Sequence, residues 1–194
     1  VTNITAMVTD ATADIAFGLL LSVARNIPLG DKLFRQGIYP GSQSNHLAGY
    51  AVSGKTLGLV GFGRIGQAVG RRGGGFGMKI IYSDPRRLPA EEEQKFGASH
   101  RGFEDLLREA DFVSMHPQLT PETRHLMSDA QFALMKPTAF VINTSRGPVI
   151  DEAALVRALK AKQIAGAGLD VFEHEPQVSP DLVVMPNVVL TPHL

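Results

Sequence analysis

A doubly wound α/β fold, a parallel sheet with helices on both faces, is predicted for this chain by three observations. From Thr56 onward, short apolar runs of strand type alternate with helical segments, and that alternation implies parallel strands joined by crossover helices. The first strand-to-helix turn reads Gly61-Phe62-Gly63-Arg64-Ile65-Gly66. The next apolar run delivers an acid, Asp84, at its carboxyl end.

The elements follow in order. A helix is predicted over 10–25, capped by Thr9 or Asp10, with Ile15, Leu19 and Ser22/Val23 on one face and Pro28 as its stop. Residues 28–53 are rich in Gly, Ser and Asn with scattered aromatics and read as an ordered arm, not a free linker. Strands are then expected at 56–60, 78–83, 111–115, 139–143, 165–170 and 187–191, with helices at 64–72, 103–109, 128–135 and 151–161. Gly73-Gly74-Gly75 follows the first of these helices. Each glycine costs about 1 kcal/mol relative to alanine in a helix, so that end is expected to fray.

Each glycine of the turn has a separate physical task. Gly61 permits the tight turn, Gly63 lets the backbone approach a pyrophosphate, and Gly66 lets helix and strand pack closely. The N–H groups that open the following helix would face the phosphates, and Asp84 is placed to read a ribose. The expected architecture is therefore a Rossmann-type sheet carrying an N-terminal helix and arm. Residues 1–53 form the helix and arm, packed on the same domain, and 54–194 form a dinucleotide-binding domain.

Composition narrows the partners. At 194 residues, 44% of them hydrophobic, the chain suits one large domain or one and a fraction, with a proper core. Lys+Arg and Asp+Glu both total 19, so no basic field exists to draw in nucleic acid or an anionic membrane, and neither partner is expected. With no cysteine there are no disulfides or thiolate metal sites, which is compatible with a reducing cytosol; a cytoplasmic location is expected and no metal site is read. The longest apolar stretch, 15–24, is broken by Gly18 and Ser22 and is too short to span a bilayer. No basic segment precedes it, so no signal sequence is expected.

In such a sheet, ligands bind at the carboxyl ends of the strands. Those ends carry Asp84, His116, Asn143-Thr144-Ser145-Arg146, Asp170 and His193. Arg146, between Ser145 and Gly147, can point its rigid fork at a carboxylate. A histidine beside a carboxylate is a workable general acid, because the negative neighbour favours imidazolium. Glu175 and His193 form such a pair if the fold brings them together.

These residues resemble the D-isomer-specific 2-hydroxyacid dehydrogenases, the family of glyoxylate/hydroxypyruvate reductases and phosphoglycerate dehydrogenases. The likeness runs through Thr9-Asp10-Ala11-Thr12-Ala13-Asp14, Gly54-Lys55-Thr56-Leu57-Gly58, the glycine turn, Leu119-Thr120-Pro121-Glu122-Thr123-Arg124, Leu134-Met135-Lys136-Pro137, Asn143-Thr144-Ser145-Arg146-Gly147, Ala165-Gly166-Ala167-Gly168-Leu169-Asp170-Val171-Phe172 and Thr191-Pro192-His193. The resemblance implies hydride transfer between a nicotinamide and a small 2-keto or 2-hydroxy acid such as glyoxylate or hydroxypyruvate. It places the catalytic arginine, glutamate and histidine on Arg146, Glu175 and His193. It places cofactor contacts on Gly61, Gly63, Arg64, Ile65, Gly66, Asp84, His116, Pro117, Thr144, Ser145, Arg146, Asp170 and His193. Asp84 argues for NAD over NADP, whereas Arg86 and Arg87 could accept a 2′-phosphate.

The resemblance also implies a homodimer formed through the 10–50 region. Family members carry a substrate-side segment before the position of Val1 and a further helix after that of Leu194, so this chain alone is expected to bind cofactor with turnover feeble or absent. Many glyoxylate reductases have a tryptophan near Ser42, and this chain has none. The alternative implied by the family's C-terminal-binding corepressors is an NAD(H)-binding, dimerising module without turnover, or an inert remnant.

Overall fold

A computed structural model describes residues 4–39, 41 and 47–194. Part of the expected arm, including Ser42, lies outside the described residues. Seven strands form one sheet in the order β3-β2-β1-β4-β5-β6-β7. They are β1 (Thr56–Val60), β2 (Lys79–Ser83), β3 (Ala98–His100), β4 (Phe112–Met115), β5 (Phe140–Asn143), β6 (Gly166–Leu169) and β7 (Val188–Leu190). Every pairing is parallel, for example Gly58 opposite Ile81 on one side and Val113 on the other. The order reverses between β1 and β4, which opens a crevice outside their carboxyl ends.

Alternation along the strands fills a core on each face. Leu57 and Leu59 of β1, Ile80 and Tyr82 of β2 and Ile142 of β5 point to one side, where α1 (Ile4–Ala24), α3 (Arg64–Gly75) and α4 (Ala90–Phe96) lie. Val60, Ile81, Val113, Met115 and Val141 point to the other, against α5 (Phe103–Glu109), α6 (Asp129–Phe132), α7 (Glu152–Lys160) and α8 (Pro180–Val184). Strands buried on both faces read as continuous apolar runs, which is why they were legible as strands.

The N-terminal helix differs from the expectation. It runs over Ile4–Ala24, so Thr9 and Asp10 lie inside it and not at its start; Thr12 Oγ1 donates to the Val8 carbonyl at 2.8 Å. Nor does Pro28 stop it. The break falls at Asn26, which adopts a left-handed φ of 55°, and Pro28 sits in the first turn of α2 (Ile27–Arg35). A proline there loses no helical hydrogen bond, so the start of the supposed arm is helix. No single described helix is long and apolar enough to cross a membrane; the bent pair α1–α2 passes on length and composition, but Ala13, Ala16, Leu19, Leu20 and Val23 of α1 are buried in the core.

The triple glycine does not fray. Helix α3 continues to Gly75, and a Cβ at Gly73 would lie 2.8 Å from Leu57 Cδ2 and 2.9 Å from Ile80 Cδ1. The missing side chain lets the helix lie close against the sheet, and that packing offsets the propensity cost. The elements α4, β3 and α8, like α2, have no counterpart among the expected ones. The first two occupy 90–100, where α4 buries no residue and shows only terminal signals: glutamates at 91–93, Lys95 in the last turn and Gly97 in the left-handed cap. The helix expected at 128–135 is shorter, ending at Phe132, though its Ser128/Gln131 capping box is formed.

Candidate functional site

Along the carboxyl edge of the sheet the predicted residues fall into two groups. The first lines a groove of about 1420 Å³ over the crevice between β1 and β4. Its walls include Gly61, Gly63, Arg64, Ile65, Gly66, Asp84, His116 and Pro117, all named from sequence. Its far rim is the loop carrying Thr120, Glu122 and Thr123, to which no role was assigned from sequence. The side-chain hydrogen bonds of Thr120 and Thr123 fold that loop; Thr123 Oγ1 donates to the Gln118 carbonyl at 2.6 Å.

The three glycines answer to different neighbours. Gly61 has φ +85°, and a Cβ there would meet the His116 carbonyl carbon at 2.8 Å. At Gly66 a Cβ would lie 2.3 Å from the Gly61 oxygen. Gly63 has an ordinary φ of −72° and open space beyond its Cα. Nothing in the protein's own packing requires a glycine at 63, whereas a ligand seated on the N-terminus of α3 would. Gly63 is also the N-cap of α3 and offers no side-chain cap, so the first-turn N–H groups are left for an anion. The residues therefore fit a pyrophosphate.

Asp84 is held against this turn. Its Oδ2 accepts the Phe62 N–H at 2.8 Å and its Oδ1 accepts the Arg86 N–H at 2.9 Å. The neighbouring arginines differ. Arg87 forks onto Glu93 at 3.0 and 3.2 Å, and Glu93, which also accepts from Tyr82, is held below the usual carboxylate range chiefly by Arg87. Arg86 is exposed and makes no ion pair among the described residues. His116 is partly buried in the groove wall, and the enclosing protein pushes its imidazole down to about 4, so it is neutral near pH 7. Its Nε2 lies 2.9 Å from Ser114 Oγ.

The second group sits at the ends of β5, β6 and β7, outside the groove lining. Asn143 Oδ1 accepts from the Ser145 N–H at 3.0 Å and its hydroxyl at 2.8 Å, while Asn143 Nδ2 donates to the Arg146 carbonyl at 3.1 Å. That clamp presents Arg146 as an exposed, extended residue. Thr144 is buried, and its hydroxyl has no partner among the described residues. Asp170 is 4% exposed; its Oδ1 accepts from Thr191 Oγ1 at 2.6 Å and from the Leu194 N–H at 3.0 Å, tying β6 to the residues after β7.

Glu175 and His193 meet. Glu175 Oε2 lies 2.9 Å from His193 Nδ1, and its Oε1 accepts the Phe172 N–H at 2.9 Å. Burial pushes the Glu175 carboxyl up, but the His193 hydrogen bond, the Phe172 N–H and the charges of His193 and Arg146 outweigh it, and the group ends below its ordinary value. Gly147 makes this proximity possible. A Cβ there would fall 1.8 Å from the Phe172 oxygen, so only glycine lets the 171–177 loop cross directly behind Arg146.

The arrangement offers an uncapped helix N-terminus, an acid in the groove wall, an exposed guanidinium and a carboxylate-backed imidazole along one sheet edge. Residues 17–194 match the family model described as D-isomer specific 2-hydroxyacid dehydrogenase, NAD binding domain. The chain is 52% identical to a glyoxylate reductase of Thermococcus litoralis over an alignment of 198 residues, covering all of this chain and 60% of that protein. A crystal structure of a glyoxylate reductase from Paecilomyes thermophila superposes with a TM-score of 0.88 at 41% identity, covering 96% of this chain and 55% of the other. The holo form of Rhodotorula graminis D-mandelate dehydrogenase gives 0.89 at 40% identity, covering 95% and 55%. The chain thus spans about 60% of the length of the curated relatives it matches.

Proposed function

Because the chain belongs to the D-isomer-specific 2-hydroxyacid dehydrogenases as their NAD-binding domain, we propose that it carries the cofactor side and the acid–base pair of an oxidoreductase acting on a small 2-keto acid such as glyoxylate or hydroxypyruvate. When bound, NADH supplies the hydride that reduces the carbonyl carbon. The α3 N-terminus and Gly63 seat the pyrophosphate, with Arg64 and Ile65 alongside. Asp84 accepts from the ribose hydroxyls and repels a 2′-phosphate. With Arg87 held by Glu93, the reading favours NAD over NADP. His116, Pro117, Thr144, Ser145 and Asp170 serve the nicotinamide half.

Arg146 holds the substrate carboxylate and polarises the carbonyl. His193 gives its proton to the carbonyl oxygen as hydride reaches the carbon, so the keto acid gains one hydride and one proton and leaves as the 2-hydroxy acid. Glu175, 2.9 Å from His193 Nδ1, orients the ring for that transfer. The observation that carries this reading is the 2.9 Å contact between Glu175 and His193, on the same sheet edge as the groove. A module that binds cofactor without turnover gives no reason for that contact.

We further read 1–53 as a helix and arm packed on the 54–194 cofactor domain, with a homodimer formed through the 10–50 region. Helix α2 supports this, since it buries no residue and leaves Phe34 65% exposed, with Tyr39 just beyond it 69% exposed. The cytoplasm is the proposed location. The test is to titrate NADH by fluorescence and follow its oxidation by glyoxylate and hydroxypyruvate, for the chain and for Arg146→Ala and His193→Ala. Binding with turnover that either substitution abolishes supports the reading, and absence of NADH binding sinks it.

A further inference from the structure

The loop that carries Glu175 is held by a second carboxylate that the proposed chemistry does not use. Glu173 has a side chain only 9% exposed. It accepts hydrogen bonds from His125 Nε2 and from the Glu152 backbone N–H at 3.2 Å, with Arg124 Nη2 at 3.4 Å. Glu152 reciprocates: its Oε2 accepts the Glu173 N–H at 3.2 Å and its Oε1 accepts the Ser179 N–H at 3.0 Å. Two acids therefore exchange backbone hydrogen bonds where α7 begins, although two like charges so placed repel. Burial pushes Glu173 up, but the His125 hydrogen bond, the Glu152 N–H and the positive fields of His125 and His174 bring it below its ordinary value.

This carboxylate joins three pieces of the site. His125 belongs to the loop at the groove's rim, and its own N–H donates to the Pro148 carbonyl at 2.8 Å, in the turn that follows Arg146. Glu173 itself is two residues from Glu175. Glu173 thus touches the 120–126 loop directly through His125, reaches the turn after Arg146 through the backbone of that same His125, and lies in the Glu175 loop itself.

We propose that Glu173, clasped by Glu152 and His125, is a positioning residue that holds the 172–177 loop so that Glu175 stays on His193. The proposal rests on the reading of Glu175 and His193 as the proton-handling pair. Its test follows from sign. Glu175 is faced by His193, Arg146 and the Phe172 N–H, with Glu173 and His174 in its own loop. Removing the charge of Glu173 lowers the Glu175 pKa through space, because a like charge is gone. Losing the His193 contact raises it.

The experiment follows the side-chain carboxyl carbon of Glu175 by NMR through a pH titration of the 194-residue chain and of H193A, E173Q and E152Q. H193A raises the Glu175 midpoint if the pair is real, and an unchanged midpoint there overturns the reading of the pair, whatever E173Q does. With H193A raised, a raised midpoint in E173Q supports the clasp. A midpoint unchanged or lowered in E173Q overturns it. Should E173Q fail to fold, as judged by near-UV circular dichroism, E152Q decides by the same signs, since it also removes a negative charge while loosening the same loop.

Discussion

Gly63→Ala and Gly66→Ala separate ligand binding from packing within one turn. At Gly63 a Cβ meets no atom within 4 Å, and φ −72° suits any residue. The loss of a glycine N-cap and the gain from a stiffer unfolded chain are each below about 1 kcal/mol and opposed, so G63A should melt within roughly 2–4 °C of the parent. The new methyl instead fills the cradle where the pyrophosphate sits. Overpacking of that kind costs on the order of 2 kcal/mol, or roughly 30-fold in the NADH dissociation constant. At Gly66 the Cβ would lie 2.3 Å from the Gly61 oxygen. Backbone must move, and a loss of about 3 kcal/mol lowers Tm by roughly 6–12 °C. Thermal melts with and without NADH, and fluorescence titration, read both effects. A G63A protein that binds NADH as tightly as the parent would refute the cradle, and a G66A protein of parental stability would refute the packing argument.

Other predictions follow from single groups. Asp84→Asn keeps an acceptor for the Phe62 N–H but removes the charge that repels a 2′-phosphate; the ratio of NADPH to NADH affinity should rise about 10-fold, or about 1.4 kcal/mol, while Arg87→Ala leaves it unchanged because Arg87 is engaged with Glu93. The imidazole of His116 is depressed to about 4 in the fold, so between pH 6.5 and 4 the unfolded chain takes up a proton that the folded one refuses. Stability should therefore fall as pH drops through that window, and His116→Asn should flatten the fall in Tm; equal slopes for the two proteins would contradict the burial argument. For Glu175, whose folded pKa is lowered, the linked stability is present above its unfolded pKa and is lost as pH falls through the folded one; His193→Ala should weaken this acid dependence, read by melts below pH 5.

The parts of the fold legible in sequence are those where one physical rule acts alone. Strands such as 112–115 and 140–143 are buried on both faces and read as unbroken apolar runs. Helix α7, expected over 151–161, forms over Glu152–Lys160, and its start is fixed by Asp151, whose side chain accepts the Ala154 N–H at 3.0 Å. Where rules compete, local reading misleads. At Gly73-Gly74-Gly75 propensity argues for fraying, but the approach of Gly73 to Leu57 and Ile80 keeps the helix intact. Pro28 reads as a stop until Asn26 is seen to turn left-handed before it. Helix α4 buries nothing, so no periodicity marks it.

The same division holds at the site. Residues with distinctive chemistry at strand ends, from Asp84 to His193, could be named from spacing and resemblance. Thr120 and Thr123 carry part of the resemblance, but their side-chain hydrogen bonds are local and give no sign that they face the groove. The clasp of Glu152, Glu173 and His125 could not be named, because its contacts span 21 to 48 residues of chain and an ordinary glutamate offers no local signal of such a partner.

The central claim is that this sheet edge joins an NAD groove to a working acid at His193. Its most direct test is to mix the protein with NADH deuterated at the transferring C4 position and with glyoxylate, then read the label in glycolate by mass spectrometry. The account predicts deuterium at C2 of glycolate with the parent chain and a fall of about 100-fold or more in its rate of appearance with His193→Ala. Transfer indifferent to His193, or no NADH binding at all, would contradict it.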